Sequence, residues 1–250
     1  MIFHSRTLSR FPNLKIAFST KQFGNLSFQH PLINKKITRK NRTKFYSSLK
    51  IPSRQVVNIS LNHKNKILWV SRKKMGKGSL AQSALTSFYD GLITNEKNIY
   101  LMITTADCFP VFYFDPKKEC VGLAHAGWRG ILAGINRQMV AIFQKKAGSN
   151  PKDIKVFIGP GLQRCHFEVK KAVFDRFGRS FENNASFVKK NRLFVDLSQT
   201  IKIQLINEGI RPANIEKSDL CTYCENDLLS SYRRDKERYS AQGAIIGLFD

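Results

Sequence analysis

Acidic residues are missing from the first third of this chain. The first is Asp90, and residues 1–89 carry 18 Lys and Arg, which leaves 42 − 18 = 24 basic residues beside all 18 acidic ones in the remainder. A net charge of +24 suits sequence-blind attraction to nucleic acid or anionic lipid, or reflects a composition rich in Lys, Asn, Ile and Phe; it carries no information about fold. Long apolar runs are also absent, and none approaches the ~20 residues that span a bilayer. The cysteines number five, an odd count with no secretory apolar segment, which argues against a disulfide scaffold and for a reduced, cytoplasmic setting. What remains is 250 residues with 42% hydrophobic content, enough for one large α/β domain. Residues 1–12 (MIFHSRTLSRFP) read as a disordered basic terminus and residues 13–250 as a single domain.

Residues 100–135 organise that domain. Residues 99–104, 111–114 and 120–124 are apolar runs closed by turn signals, and a helical pattern over 131–146 follows the last. Cys108 and His125 are expected just beyond buried strands, and neighbouring strands lie only about 4.8 Å apart. Elsewhere, residues 15–19 read as an edge strand and 39–49 as a helix with a solvated basic face. Residues 55–61 and 66–70 read as a hairpin with His63 at its turn, and 72–83 as an inserted loop. Further on, 154–158 reads as a buried strand, 169–177 as a helix, 194–209 as containing a helix after Asp196, and 241–249 as a last strand.

A thiolate and a neutral imidazole are good zinc ligands, and a catalytic zinc takes three protein ligands and keeps one position open. The same pair also suits a Cys-His nucleophilic dyad, or a buried thiol beside a hydrogen-bonded core histidine. Residue types alone leave the three open.

Four segments, TADCFPV, GLAHAGWRG, IGPGLQRCHFEV and CTYCENDLLSSYRRD, resemble in order and spacing the YfiH-like family, long named multicopper polyphenol oxidoreductases or laccase-like proteins. Its members are also called peptidoglycan editing factors, and several are described as zinc-dependent purine nucleoside phosphorylases with adenosine deaminase activity. The likeness runs from about Lys15 to the C-terminus. It implies an α/β (α+β) fold, a layered α-β-β-α domain with mixed sheets. It also implies zinc on His63, Cys108 and His125, acting on adenosine, inosine or methylthioadenosine with phosphate. Cys108, His125, Asp107 and Arg129 then carry the catalytic roles, and Lys21, Trp128, His166, Cys221 and Arg233 contact substrate. Trp128 offers a flat face and Arg129 an anion-binding fork. Asp107, Glu168 and His166 are the candidate general bases, and Asp90 reads as a partner for a metal-bound histidine or as a turn cap.

The chain departs from the family in places. Lys21 stands where the family has Arg, and Leu61-Asn62-His63-Lys64 stands for Gln-Val-His-Gly, which alters the turn by removing a glycine. Asn41-Arg42 matches an NR pair before a helix. Cys165-His166 invites a second metal reading, but adjacent residues on a strand point to opposite faces. Cys221-Thr-Tyr-Cys224 has zinc-knuckle spacing without a second pair, and the resemblance, which takes in its Cys-Thr part and Ser231-Tyr-Arg-Arg234, implies a place for Cys221 beside the active site.

Competing functions make other demands. A laccase needs a blue-copper site and a His-rich trinuclear cluster, for which five histidines are too few. A Cys-His hydrolase acting on peptidoglycan precursors needs a free Cys108. A nucleic-acid binder would explain the basic first third, but no helix-turn-helix, RNP or zinc-finger signature is present. The small-molecule reading expects a monomer or weak homo-oligomer, with non-specific nucleic-acid binding as a side property.

Overall fold

The short apolar runs of residues 99–124 become strands buried on both faces, which requires a layer above and below each. The computed structural model describes residues 2–3, 5–82, 89–181 and 185–250, with backbone alone at 2–3. The chain begins with β1 (Ile2–Phe3), β2 (Leu14–Ser19), α1 (Lys35–Ser48), β3 (Val56–Asn58), β4 (Lys66–Trp69) and β5 (Tyr89–Thr94). Its centre is β6 (Ile99–Thr105), β7 (Phe109–Asp115), β8 (Cys120–Ala126), α2 (Trp128–Leu132), α3 (Ile135–Ala147) and β9 (Lys155–Ile158). It closes with α4 (Lys171–Phe181), β10 (Ser186–Lys189), β11 (Arg192–Val195), α5 (Leu197–Asn207), β12 (Ile215–Lys217), α6 (Tyr232–Asp235) and β13 (Gln242–Leu248).

One mixed sheet runs β1-β2-β13-β6-β3 and a second runs β12-β9-β7-β8-β5-β4, with β10-β11 as a separate ribbon. Ile99, Leu101 and Ile103 of β6 meet Phe112, Phe114, Val121 and Leu123 of β7 and β8 between the two large sheets. The alternate residues Tyr100 and Met102 pack under Phe45 and Tyr46 of α1. On the far side of the second sheet, Val111, Tyr113 and Ala124 meet Met139, Val140 and Phe143 of α3 and Ile201 and Leu205 of α5. The order is therefore helix, sheet, sheet, helix: the layered domain the resemblance implies. Among the described residues no helix is long and apolar enough to cross a membrane.

Several sequence expectations need correction. Residues 55–61 and 66–70 do not form a hairpin. β3 pairs parallel with β6 in the first sheet and β4 parallel with β5 in the second, so the segment between them crosses sheets. A strand's alternation reports its buried face and leaves its partner open. The helical pattern after His125 breaks at Gly134, whose φ of +79° separates α2 from α3. β2 lies between β1 and β13 rather than at an edge. The helix expected from Arg39 starts at Lys35 behind an Asn34 cap, which accepts from the Ile37 N–H.

The basic terminus is ordered where it is described. Leu8 is fully buried in the inter-sheet core, Glu216 accepts from the Ser5 hydroxyl and the Arg6 and Thr7 N–H groups, and residues 1 and 4 lie outside the described residues. Arg42 is not on a solvated face either. Its guanidinium is buried and donates to the carbonyls of Leu26, Gly78 and Ser79 and to Asn58 Oδ1. It thereby ties α1 to the segment read as an inserted loop, of which residue 83 lies outside the described residues.

Candidate active site

Three elements bring His63, Cys108 and His125 together. β7 and β8 are antiparallel with Pro110 opposite His125, so Cys108, just ahead of β7, falls beside the end of β8. His125 thus lies within a strand rather than beyond it. His63 arrives from the crossover between β3 and β4. One ligand atom from each of the three lies within 4.8 Å of the others. The two rings meet edge to face, with centroids 4.8 Å apart. Gly127 makes room: a Cβ there would lie 2.8 Å from Cys108 Sγ and 3.3 Å from His63 Cδ2.

Asp90 holds this arrangement. It is fully buried on β5, and its Oδ1 lies 2.9 Å from His125 Nδ1. The same carboxylate accepts from the N–H groups of His63 at 2.8 Å and Lys64 at 2.7 Å, and from Asn62. An ionised carboxylate there keeps the proton on Nδ1, so Nε2 of His125 is the nitrogen that would give up its proton to a metal. Burial pushes the Asp90 pKa up, but the hydrogen bond and charge of His125 and the backbone N–H groups outweigh it and leave it lowered. Burial likewise pushes the Cys108 thiol up, and the imidazoles of His125 and His63 more than reverse that, to about 6. Burial lowers His125, while the Cys108 charge and the Asp90 hydrogen bond raise it to about 10. The altered turn is also accommodated, because His63 takes the left-handed φ of +56° and Lys64 does not need to.

The trio opens into a cavity of about 480 Å³ lined by Asp107, Trp128, Arg129, Phe167, Tyr232 and Arg233, among others. The Arg129 guanidinium lies 4.2 Å from the Trp128 ring centroid. Asp107 is a cavity wall, but its Oδ1 accepts from the Thr222 hydroxyl at 2.7 Å and its Oδ2 from the Arg233 N–H at 2.6 Å. Its carboxylate therefore holds the 222–233 segment rather than standing free as a base. Tyr232, Tyr239, Phe167 and Gln29 are not among the sequence candidates, and wall residues scattered over separate segments leave no local pattern to find.

Three expected substrate contacts fall elsewhere. Lys21 is absent from the walls of this cavity, and its Nζ donates to the Asn226 carbonyl. His166 and Cys221 lie behind the wall, in a cluster with Cys165 and Cys224. Glu168 is likewise not a wall, and it pairs with Arg192.

A layered domain with a thiolate and two imidazoles at the foot of an aromatic cavity is a candidate metal-dependent enzyme. A sequence model of the family described as multi-copper polyphenol oxidoreductase laccase matches residues 17–249, and the chain belongs to that family. It is similar to the purine nucleoside phosphorylase YlmD of Bacillus subtilis (strain 168), 35% identical over 189 residues, or 74% of this chain and 68% of the relative. It is also similar to the purine nucleoside phosphorylase YfiH of Escherichia coli (strain K12), 34% identical over 149 residues, or 59% of each. The crystal structure of YlmD from Geobacillus stearothermophilus aligns with a TM-score of 0.91 at 28% identity, covering 96% of this chain and 93% of that one.

The several coppers in the family's description need more imidazoles than gather here. Among the described residues, only His63 and His125 belong to the cavity trio. His30 is engaged by the Tyr239 carbonyl and the Leu32 N–H, His166 belongs to the cysteine cluster, and His4 lies outside the described residues. One thiolate and two imidazoles, with an open side, suit a single zinc or copper ion, and the described residues bring no further imidazoles for a trinuclear cluster.

Proposed function

We propose that this chain is a zinc-dependent purine nucleoside phosphorylase, with the metal on His63, Cys108 and His125 and accompanying adenosine deaminase activity. The observation that carries the reading is the opening of this trio into a cavity walled by aromatic rings and two guanidinium groups. Cavities of this size and lining hold small ligands. Bound zinc would supply a Lewis acid at the cavity floor. Trp128, Phe167, Tyr232 and Tyr239 offer ring faces to a purine, and Arg129 and Arg233 offer positive charge to phosphate.

In phosphorolysis a phosphate oxygen bonds to C1′ as the C1′–N9 bond breaks and its electron pair leaves with the purine. Hydrogen phosphate brings the proton that ends on the base, so the overall reaction balances without a protein base. That suits a cavity in which Asp107 is already committed to hydrogen bonds. Deamination would exchange the C6 amino group of adenosine for a water oxygen, releasing ammonia.

A Cys-His hydrolase is favoured by one arrangement, the Cys108 thiol beside the His125 ring with Asp90 holding that ring's Nδ1, in which charge and hydrogen bonding draw the pair toward thiolate and imidazolium. A metal on the thiolate blunts that nucleophile, so metal content separates the two readings. Elemental analysis should find zinc in the purified protein, and Cys108→Ala should lose the ion held by this trio. Full retention of metal in that variant, with amidase activity abolished by Cys108→Ser, would favour the hydrolase.

A further inference from the structure

We propose that Cys165, His166, Cys221 and Cys224 form a second zinc site, a structural one that clamps the loop after β9 to the segment before α6. The objection that neighbours on a strand diverge does not apply, because Cys165 and His166 lie in a turn. The N–H groups of both His166 and Phe167 bond back to the Gln163 carbonyl. Cys221 and Cys224 flank a second turn, in which the Glu225 N–H bonds to the Cys221 carbonyl. An isolated bridge between Gly161 and Cys221, with the Thr222 N–H on the Gly161 carbonyl, holds the two turns face to face.

The donor spacings approach those of a tetrahedron, and all four donor atoms lie within 4.8 Å of one another. Zinc–sulfur bonds of about 2.3 Å place two sulfurs about 3.8 Å apart, and a sulfur and a nitrogen about 3.6 Å apart. Cys165 Sγ and Cys224 Sγ are 3.8 Å apart. His166 Nδ1 lies 3.2 Å from Cys165 Sγ, 3.4 Å from Cys224 Sγ and 3.9 Å from Cys221 Sγ. A disulfide between Cys165 and Cys224 would need their sulfurs at about 2.05 Å and would leave the third thiol and the imidazole without a role. The His166 ring is fixed by stacking on Tyr223, at 4.0 Å and 16°. Three thiolates and one imidazole leave no position open, which is the pattern of a structural rather than a catalytic zinc.

The clamp bears on the cavity. Leu162 and Phe167, on the first turn, and Tyr232 and Arg233, after the second, are cavity walls. Arg233 also joins the two directly, donating from Nη1 to the His166 and Glu168 carbonyls. The cluster touches no reacting atom, so its ligands are positioning residues.

Zinc counting on the whole protein tests the assignment without reference to the reaction, so it stands or falls apart from the phosphorylase reading. The purified protein should hold two zinc ions per chain, and Cys108→Ala and Cys224→Ser should each hold one. X-ray absorption at the zinc edge of Cys108→Ala should then show three sulfurs and one nitrogen, a readout that needs no cluster variant to fold. If the phosphorylase reading also holds, Cys224→Ser should raise KM more than it lowers kcat. A single zinc in the native protein that is lost in Cys108→Ala and kept in Cys224→Ser would overturn the proposal. So would a Cys165–Cys224 disulfide found by mass before reduction.

Discussion

At the scale of single residues, the site depends most on a carboxylate that is not itself in the trio. Asp90 orients His125 and pins the backbone that carries His63, so one side chain fixes both imidazoles. Replacing such a partner of a metal ligand costs about 10- to 100-fold in metal affinity. Asp90→Asn should therefore weaken zinc binding by that order in competition with a chelator, while circular dichroism stays native. Unchanged affinity would mean that His125 is oriented by other contacts. The sequence offered Asp90 either as such a partner or as a turn cap, and the structure uses it as both. His63 was legible only through resemblance, because a histidine on a polar crossover carries no periodic signal. The misplacements of Lys21, His166 and Cys221 share one cause: motif order gives proximity in sequence, whereas the cavity wall is set by which way each turn faces.

At the scale of elements, β6, β7 and β8 were readable because strands buried on both faces leave unbroken apolar runs. Partners were not readable, and β3 and β4 joined different sheets. The basic terminus is the plainest case of tertiary packing overriding composition. Leu8 anchors it in the inter-sheet core, and Leu8→Ala should cost about 2–5 kcal/mol in denaturant unfolding. The Glu216 contacts add a pH-dependent part. Burial raises the pKa of Glu216, but the Ser5 hydroxyl and the Thr7 and Arg6 N–H groups bring it below the usual carboxylate value. A depressed folded pKa contributes stability above the ordinary carboxylate range and loses it as pH falls through the folded value. The stability gap between the native protein and Glu216→Gln should accordingly be widest near neutrality and close in acid. A gap that widened in acid would contradict these contacts.

For the whole molecule, charge and function separate. Lys35, Lys36, Arg39, Lys40 and Lys44 are exposed on α1, and Arg72, Lys73 and Lys77 add to the basic first third. No base-reading signature accompanies them in the sequence, so filter binding to unrelated duplexes should give equal affinities that fall steeply with salt. A preference for one sequence surviving high salt would require a recognition surface absent from this account. The layered architecture was legible only from the four motifs together, since composition and periodicity stop at a large α/β domain.

The central claim is purine nucleoside phosphorolysis at the His63–Cys108–His125 site, and one assay reaches it directly. Zinc-loaded protein incubated with inosine and phosphate should release hypoxanthine and ribose 1-phosphate in equal amounts. Release should stop without phosphate and be abolished in Cys108→Ala. The departures at Lys21 and Leu61 to Lys64 concern rate, so slow turnover still supports the account. A folded, zinc-loaded sample that releases no base from inosine or adenosine at any phosphate concentration would contradict it.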